Sequence, residues 1–172
     1  MKLLHLLRHA KSSWAGDDLP DRERPLAPRG RRAAQRLAAY LQARGVHPDV
    51  VLCSPAARTA QTLELILAGL GEGVEVLVEE ELYGASARQL LARLRCLPEQ
   101  VDSAMVVGHN PGLQELTLLL ARESALRERA AAHFPTAALA TLALRRGGWP
   151  ALGRARADLV AYLVPRELHA RR

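Results

Sequence analysis

Apolar residues in this chain gather in short runs, and each run stops at a polar segment that reads as a turn or a helix start. The first run, Lys2–Leu7 (KLLHLL), is too short to span a membrane and reads as a buried central strand that ends in Arg8-His9. Pro28–Gly45 predicts a helix, with proline in the first turn, Ala33, Leu37, Tyr40 and Leu41 as an apolar stripe, and Gly45 as a left-handed cap. Val50–Cys53 (VVLC) predicts a second buried strand. Ser54 as N-cap and Pro55 as first helical residue would then start a helix reaching about Leu70, with Arg58 in its opening turns. Val74–Val78 predicts a short strand and Glu79–Gly84 an acidic turn, and Ser86 caps a helix over Ala87–Leu97. Ala104–Val107 repeats the earlier grammar, with Gly108-His109 in the turn, Asn110 as cap, Pro111 at the helix start and a helix to Ala121. Arg122–Pro135 carries a weaker helical signal; Ala137–Leu144 fits strand or helix by period, and Thr141 and the Gly147-Gly148 turn favour a strand paired with Asp158–Val164; Pro165–Arg172 reads as a frayed end.

Strands alternating with helices predict an open parallel sheet, in which ligands collect at the carboxyl ends of the strands. Those ends carry Arg8-His9, Arg58 and His109. Guanidinium forks match phosphoryl oxygens, helix starts add backbone donors, and a neutral imidazole among them can attack phosphorus. The loop Trp14–Leu26 leaves the same edge and could fold Arg22 or Arg24 over an anion.

Composition narrows the classes. At 172 residues the chain has the length of one domain, and no linker or repeat divides it. The 24 Lys and Arg against 18 Asp and Glu suit an anionic ligand, although Arg29, Arg31, Arg32, Arg36 and Arg44 read as a solvated helix face. Aromatic residues at 3% leave no platform for base stacking, so nucleic acid is not an expected partner. Cys53 and Cys96 lack metal-binding or disulfide spacing, and the N-terminal run lacks a cleavage site. A soluble, cytoplasmic protein with no metal, cofactor or membrane partner is the expectation; its oligomeric state is open, with a monomer favoured.

RHA at 8–10, SPAARTAQT at 54–62 and GHNPG at 108–112 resemble the motifs of the histidine phosphatase superfamily. With its length and the ELYGAS segment, the chain is most similar to small SixA-type phosphohistidine phosphatases. The resemblance implies a phosphoglycerate-mutase-like α/β fold, a three-layer sandwich with a mostly parallel central sheet flanked by helices on both faces. It implies a metal-independent hydrolase, without cofactor, acting on a phosphorylated protein or a small phosphoester. His9 would be the phosphorylated nucleophile, Arg8, Arg58 and His109 the phosphate pocket, and Arg24 an extra contact. Two departures stand out. Ala10 replaces the family's glycine, and the leaving-group acid is open among Glu79, Glu80 and Glu81, with Glu81 the first choice. Without a working acid, phosphohistidine is the favoured substrate; with one, ordinary phosphomonoesters are. A mutase and a non-catalytic phosphate-binding module are the other readings.

Overall fold

The computed structural model describes residues 1–16, 18–145 and 147–169. Its first apolar run forms strand β1 (Lys2–Arg8), which takes an interior place in a six-stranded sheet. The others are β2 (Val50–Cys53), β3 (Glu75–Val78), β4 (Ser103–Gly108), β5 (Leu139–Leu144) and β6 (Asp158–Leu163), in the spatial order β3-β2-β4-β1-β5-β6. The four strands from β3 to β1 run parallel, while β5 is antiparallel to both β1 and β6. The sheet is therefore mostly parallel, as expected of this α/β class.

Alternation along the strands sends successive side chains to opposite layers. Leu4, Leu6, Leu52, Ala104 and Val106 belong to the core beneath α3 (Ala87–Arg95), α4 (Gly112–Leu120) and α5 (Ala125–Ala132). Leu7, Val51, Cys53, Met105 and Val107 face the other core, beneath α1 (Pro28–Ala43) and α2 (Ala57–Leu67). Burial on both faces explains why these strands read as nearly unbroken apolar runs. His5 is buried on β1 and pairs with Thr141 Oγ1 on β5 at 3.0 Å.

Local details differ from the sequence expectations at three places. α2 begins at Ala57 rather than Pro55, with Ala56 as the extended N-cap residue. α4 begins at Gly112 after a cis Asn110–Pro111 bond, yet Asn110 Oδ1 still accepts from the Gln114 N–H at 3.3 Å. Pro165–His169 forms a 3₁₀ turn instead of fraying, with Leu168 against the α1 core. The rest of the expected frayed end, residues 170–172, lies outside the described residues. Gly45 takes φ +62°, the left-handed cap that its position called for. Among the described residues no helix is long and apolar enough to cross a membrane.

The α1–α2 layer depends on close backbone approach. A Cβ at Gly69, just beyond α2, would lie 2.2 Å from the Ala38 carbonyl oxygen of α1. Gly69→Ala is expected to destabilise the fold by ~1–3 kcal/mol, the range for overpacking a tight contact. Urea unfolding checks this, and an unchanged midpoint would show that the two helices separate freely.

Candidate active site

The carboxyl ends of β1, β2 and β4 are adjacent, and their ladders continue past the strands. The His9 N–H donates to the Gly108 carbonyl at 3.0 Å, and the Ser54 N–H donates to the Val107 carbonyl at 3.1 Å. On the β5 side, the Ala137 N–H donates to the carbonyls of both Arg8 (3.1 Å) and His9 (2.9 Å). Ala137 holds φ +60°, a strained conformation for a residue with a side chain, and this bifurcated bond accompanies it.

These bonds place Arg8, His9, Arg58 and His109 around one cleft of about 420 Å³, together with Arg24, Asp21, Tyr83 and Trp14. The rings of His9 and His109 lie 5.4 Å apart, centroid to centroid, and both residues are buried. His9 Nδ1 is 2.7 Å from the Ala10 carbonyl oxygen. A carbonyl can only accept, so Nδ1 carries the proton and Nε2 keeps its lone pair. The nitrogen that the sequence left undecided is thereby distinguished from its neighbour. Ala10 fits in place of glycine because its φ is not positive and its methyl joins the α1–α2 core. Its N–H donates to Thr62 Oγ1 at 3.0 Å.

His109 is fixed from two sides. Its Nε2 lies 2.7 Å from Ser54 Oγ, and its Nδ1 lies 3.5 Å from Arg58 Nη2. The guanidinium can only donate, so Nδ1 is the unprotonated nitrogen and Nε2–H donates to Ser54. Ser54, expected as a helix cap, is instead a fully buried partner of this histidine.

Arg58 donates through Nη1 to the Asp21 carbonyl (2.7 Å) and through Nη2 to Asp21 Oδ2 (3.0 Å). Arg8 Nη1 donates to the Phe134 carbonyl at 2.8 Å. The Nε atoms of both arginines are buried with no partner among the described residues. Arg24 lies over the Trp14 ring at 3.8 Å and donates to Ser12 Oγ and Asp21 Oδ1. The Tyr83 hydroxyl also donates to Asp21. That bond first, then those from Arg24 and Arg58, holds the Asp21 carboxyl well below its usual range, against some opposing burial.

Burial pushes His9 down to about 3, partly opposed by the Ala10 carbonyl and reinforced by His109, Arg58 and Arg8. Burial, then the charge of Arg58, pushes His109 down to about 4. Both rings are thus neutral at pH 7 in this state. Cys53, just before Ser54, is fully buried, and burial pushes its thiol up to about 12.

The three glutamates do not reach the cleft. Glu79 pairs with Arg93, and Glu80 pairs with Arg22, which does not line the cleft. Glu81 is exposed in the turn Glu80–Leu82 and does not line the cavity. Asp21, Tyr83 and Ser54 are the residues that sequence reasoning missed. Asp21 sits three residues before Arg24 in the loop already suspected of covering the site, which was the one available signal.

The profile of the histidine phosphatase superfamily (branch 1) matches residues 4–90, just over half of the chain. The chain belongs to the histidine phosphatase superfamily. An uncharacterized protein of Mycobacterium tuberculosis is 37% identical over 164 residues, covering 93% of this chain and 100% of that one. A structure provisionally assigned as the phosphohistidine phosphatase SixA of Nakamurella multipartitia superposes with a TM-score of 0.82 at 33% identity, covering 95% of this chain and 96% of its own. The protein histidine phosphatase SixA complexed with tungstate superposes with a TM-score of 0.76 at 26% identity, covering 96% and 99%. Family and neighbours make this histidine phosphatase a phosphatase by class of enzyme.

The lowered histidines make stability depend on acid. Below pH ~6.5 the unfolded chain takes up protons at His5, His9 and His109 that the folded chain refuses until about 4, 3 and 4 respectively. Stability is therefore expected to fall as pH drops from ~6.5 toward ~4, by up to ~1.4 kcal/mol per pH unit for each such ring. Urea midpoints between pH 7 and 5 check this; a flat profile would mean that the rings protonate freely in the fold.

Proposed function

We propose that this phosphatase works through a phosphohistidine intermediate on His9 and that its substrate is phosphohistidine carried on a protein. The observation that carries the proposal is the Nδ1–H bond from His9 to the Ala10 carbonyl, which leaves the Nε2 lone pair available beside the guanidinium groups. Nε2 attacks phosphorus as the bond to the leaving group breaks. Arg8, Arg58 and Arg24 hold the phosphoryl oxygens through charge-assisted bonds, filling the role that a metal cation plays in other phosphoryl transfers. His109 Nδ1 takes a proton as the dianion enters, since the anion's charge opposes the Arg58 effect, and donates to an equatorial oxygen. Ser54 holds the ring by its other nitrogen. Water then attacks phospho-His9, the lone pair returns to Nε2, and the water's proton leaves with inorganic phosphate.

The acid side of the cleft supports the choice of substrate. Among the described residues Asp21 is the carboxylate that lines it, and its three donors keep it ionised, so it is a poor proton donor at neutral pH. An alkoxide leaving group gains ~10²–10⁴-fold from general-acid help. A phosphoimidazole whose other nitrogen already carries a proton leaves as a neutral ring and needs far less. The likeness to SixA structures, one of them a complex with the oxyanion tungstate, supports the same reading. Two cysteines without a disulfide accord with a reducing cytoplasm as the place of action.

The test uses an aryl phosphate and a phosphohistidine-bearing protein, both in EDTA. The wild type is expected to favour phosphohistidine by at least ~10-fold in kcat/KM, and His9→Ala to lose at least ~10³-fold on either. The trapped phosphoenzyme is expected to be acid-labile and alkali-stable. Glu81→Gln is expected to leave both rates unchanged. Preference for the aryl ester, or a selective loss on it in Glu81→Gln, would overturn the substrate assignment; turnover surviving in His9→Ala would overturn the nucleophile.

A further inference from the structure

Beside the His9 cleft lies a second cavity of about 250 Å³, and Lys11 and Thr136 line both. Its cations are Lys11, Arg29, Arg36 and Arg166, and no described carboxylate lines it. Among the described residues none of these four forms an ion pair, in contrast to Arg22, Arg24, Arg58 and Arg93. The Nε of Arg36 is buried and has no partner among the described residues.

The fold brings these charges together. The Ala27 N–H donates to the Lys11 carbonyl at 2.9 Å, and a Cβ at Gly30 would lie 2.1 Å from that same oxygen. The first turn of α1 therefore rests directly on the backbone of Lys11, three residues beyond Arg8. Arg29 and Arg36, seven apart on α1, share one face of the helix. Arg166 comes from the turn Pro165–His169, whose Leu168 packs on the α1 core. A solvated face accounts for Arg31 and Arg32, whereas Arg29, though exposed, and the half-buried Arg36 line the cavity. The first turn of α1 also holds no acidic residue, the reverse of what the positive end of a helix favours. Such an array repels itself when empty and is relieved by an anion.

We propose that this cavity is a second anion subsite, which binds a phosphoryl or carboxylate group on the same molecule whose phosphoryl group enters the His9 cleft. The proposal rests on the phosphatase reading and narrows its substrates to phosphorylated molecules with a second anionic group nearby. The apolar walls of Ala33, Pro135 and Val164 suit an aliphatic spacer between the two. A small polyphosphorylated molecule and an acidic residue flanking a phosphorylated side chain both supply this chemistry.

The double variant Arg36→Gln/Arg166→Gln tests it, with aryl phosphate as reporter and with orthophosphate and tripolyphosphate as inhibitors, all in EDTA. Aryl phosphate turnover and the orthophosphate inhibition constant are expected to match wild type. The tripolyphosphate constant is expected to rise at least ~10-fold, as for loss of a charge-assisted bond. Equal changes for both ions, no change for either, or tripolyphosphate binding no tighter than orthophosphate to wild type would each overturn the subsite. Wild-type protein inert toward both aryl phosphate and phosphohistidine would instead overturn the phosphatase reading. Two phosphohistidine peptides, flanked by glutamates or by glutamines, separate the sources. A wild-type preference for the acidic peptide that the double variant loses assigns the subsite to a protein substrate. Equal handling of the peptides, with the tripolyphosphate effect retained, assigns it to a small molecule.

Discussion

The hydrogen bond from the His9 N–H to the Gly108 carbonyl extends the β1–β4 ladder one step beyond the strands, and the site hangs on it. It sets His9 beside His109 with backbone precision, so that neither ring is carried by a free loop. The matching bond from Ser54 to Val107 brings β2 to the same line, and Ala137 clamps the far side. Three sequence segments more than forty residues apart thus act as one rigid rim. An open parallel sheet offers such a rim wherever neighbouring strands end together, and here every one of those ends carries a charged or ionisable side chain.

Within that rim the electrostatics are set by buried rings and clustered guanidinium groups. Desolvation and cationic neighbours deny protons to both imidazoles, which keeps a lone pair on His9 at neutral pH. Asp21 meanwhile supplies the carboxylate that Arg58 and Arg24 would otherwise lack. In the proposed reaction an entering phosphoryl group would compete with a resident single negative charge and bring two of its own, and the buried Nε atoms of Arg8 and Arg58 would add donors that Asp21 leaves unused. The Asp21 carboxylate thereby offsets guanidinium charge that would otherwise repel itself across the cleft.

The sequence carried the sheet and the residues that gather at its edge well because both are written locally. VVLC and AMVV are apolar on both faces, and RHA, SPAARTAQT and GHNPG each sit where such a run stops. What it carried poorly depends on how loops fold back. Ser54 looked like a cap, and only the neighbouring strand end reveals His109 as its partner. Asp21 and Tyr83 meet across sixty residues through a hydrogen bond that no local pattern encodes. Glu81 was attractive for its position after the third strand, yet the short turn there directs it outward while Glu79 and Glu80 find arginines. The basic face of α1 looked uniform because its period gives no hint of the turn Pro165–His169 that closes over part of it.

Cys53 stands one residue from Ser54, yet its sulfur is turned into the core and holds its proton far above neutral pH. Phosphatases that attack through a thiolate are silenced by peroxides and electrophiles. With a ring nitrogen as the proposed nucleophile and Cys53 sealed in the core, peroxides meet no thiol among the described residues of this cleft. Dephosphorylation here would continue through an oxidative burst that stops its thiol-dependent counterparts.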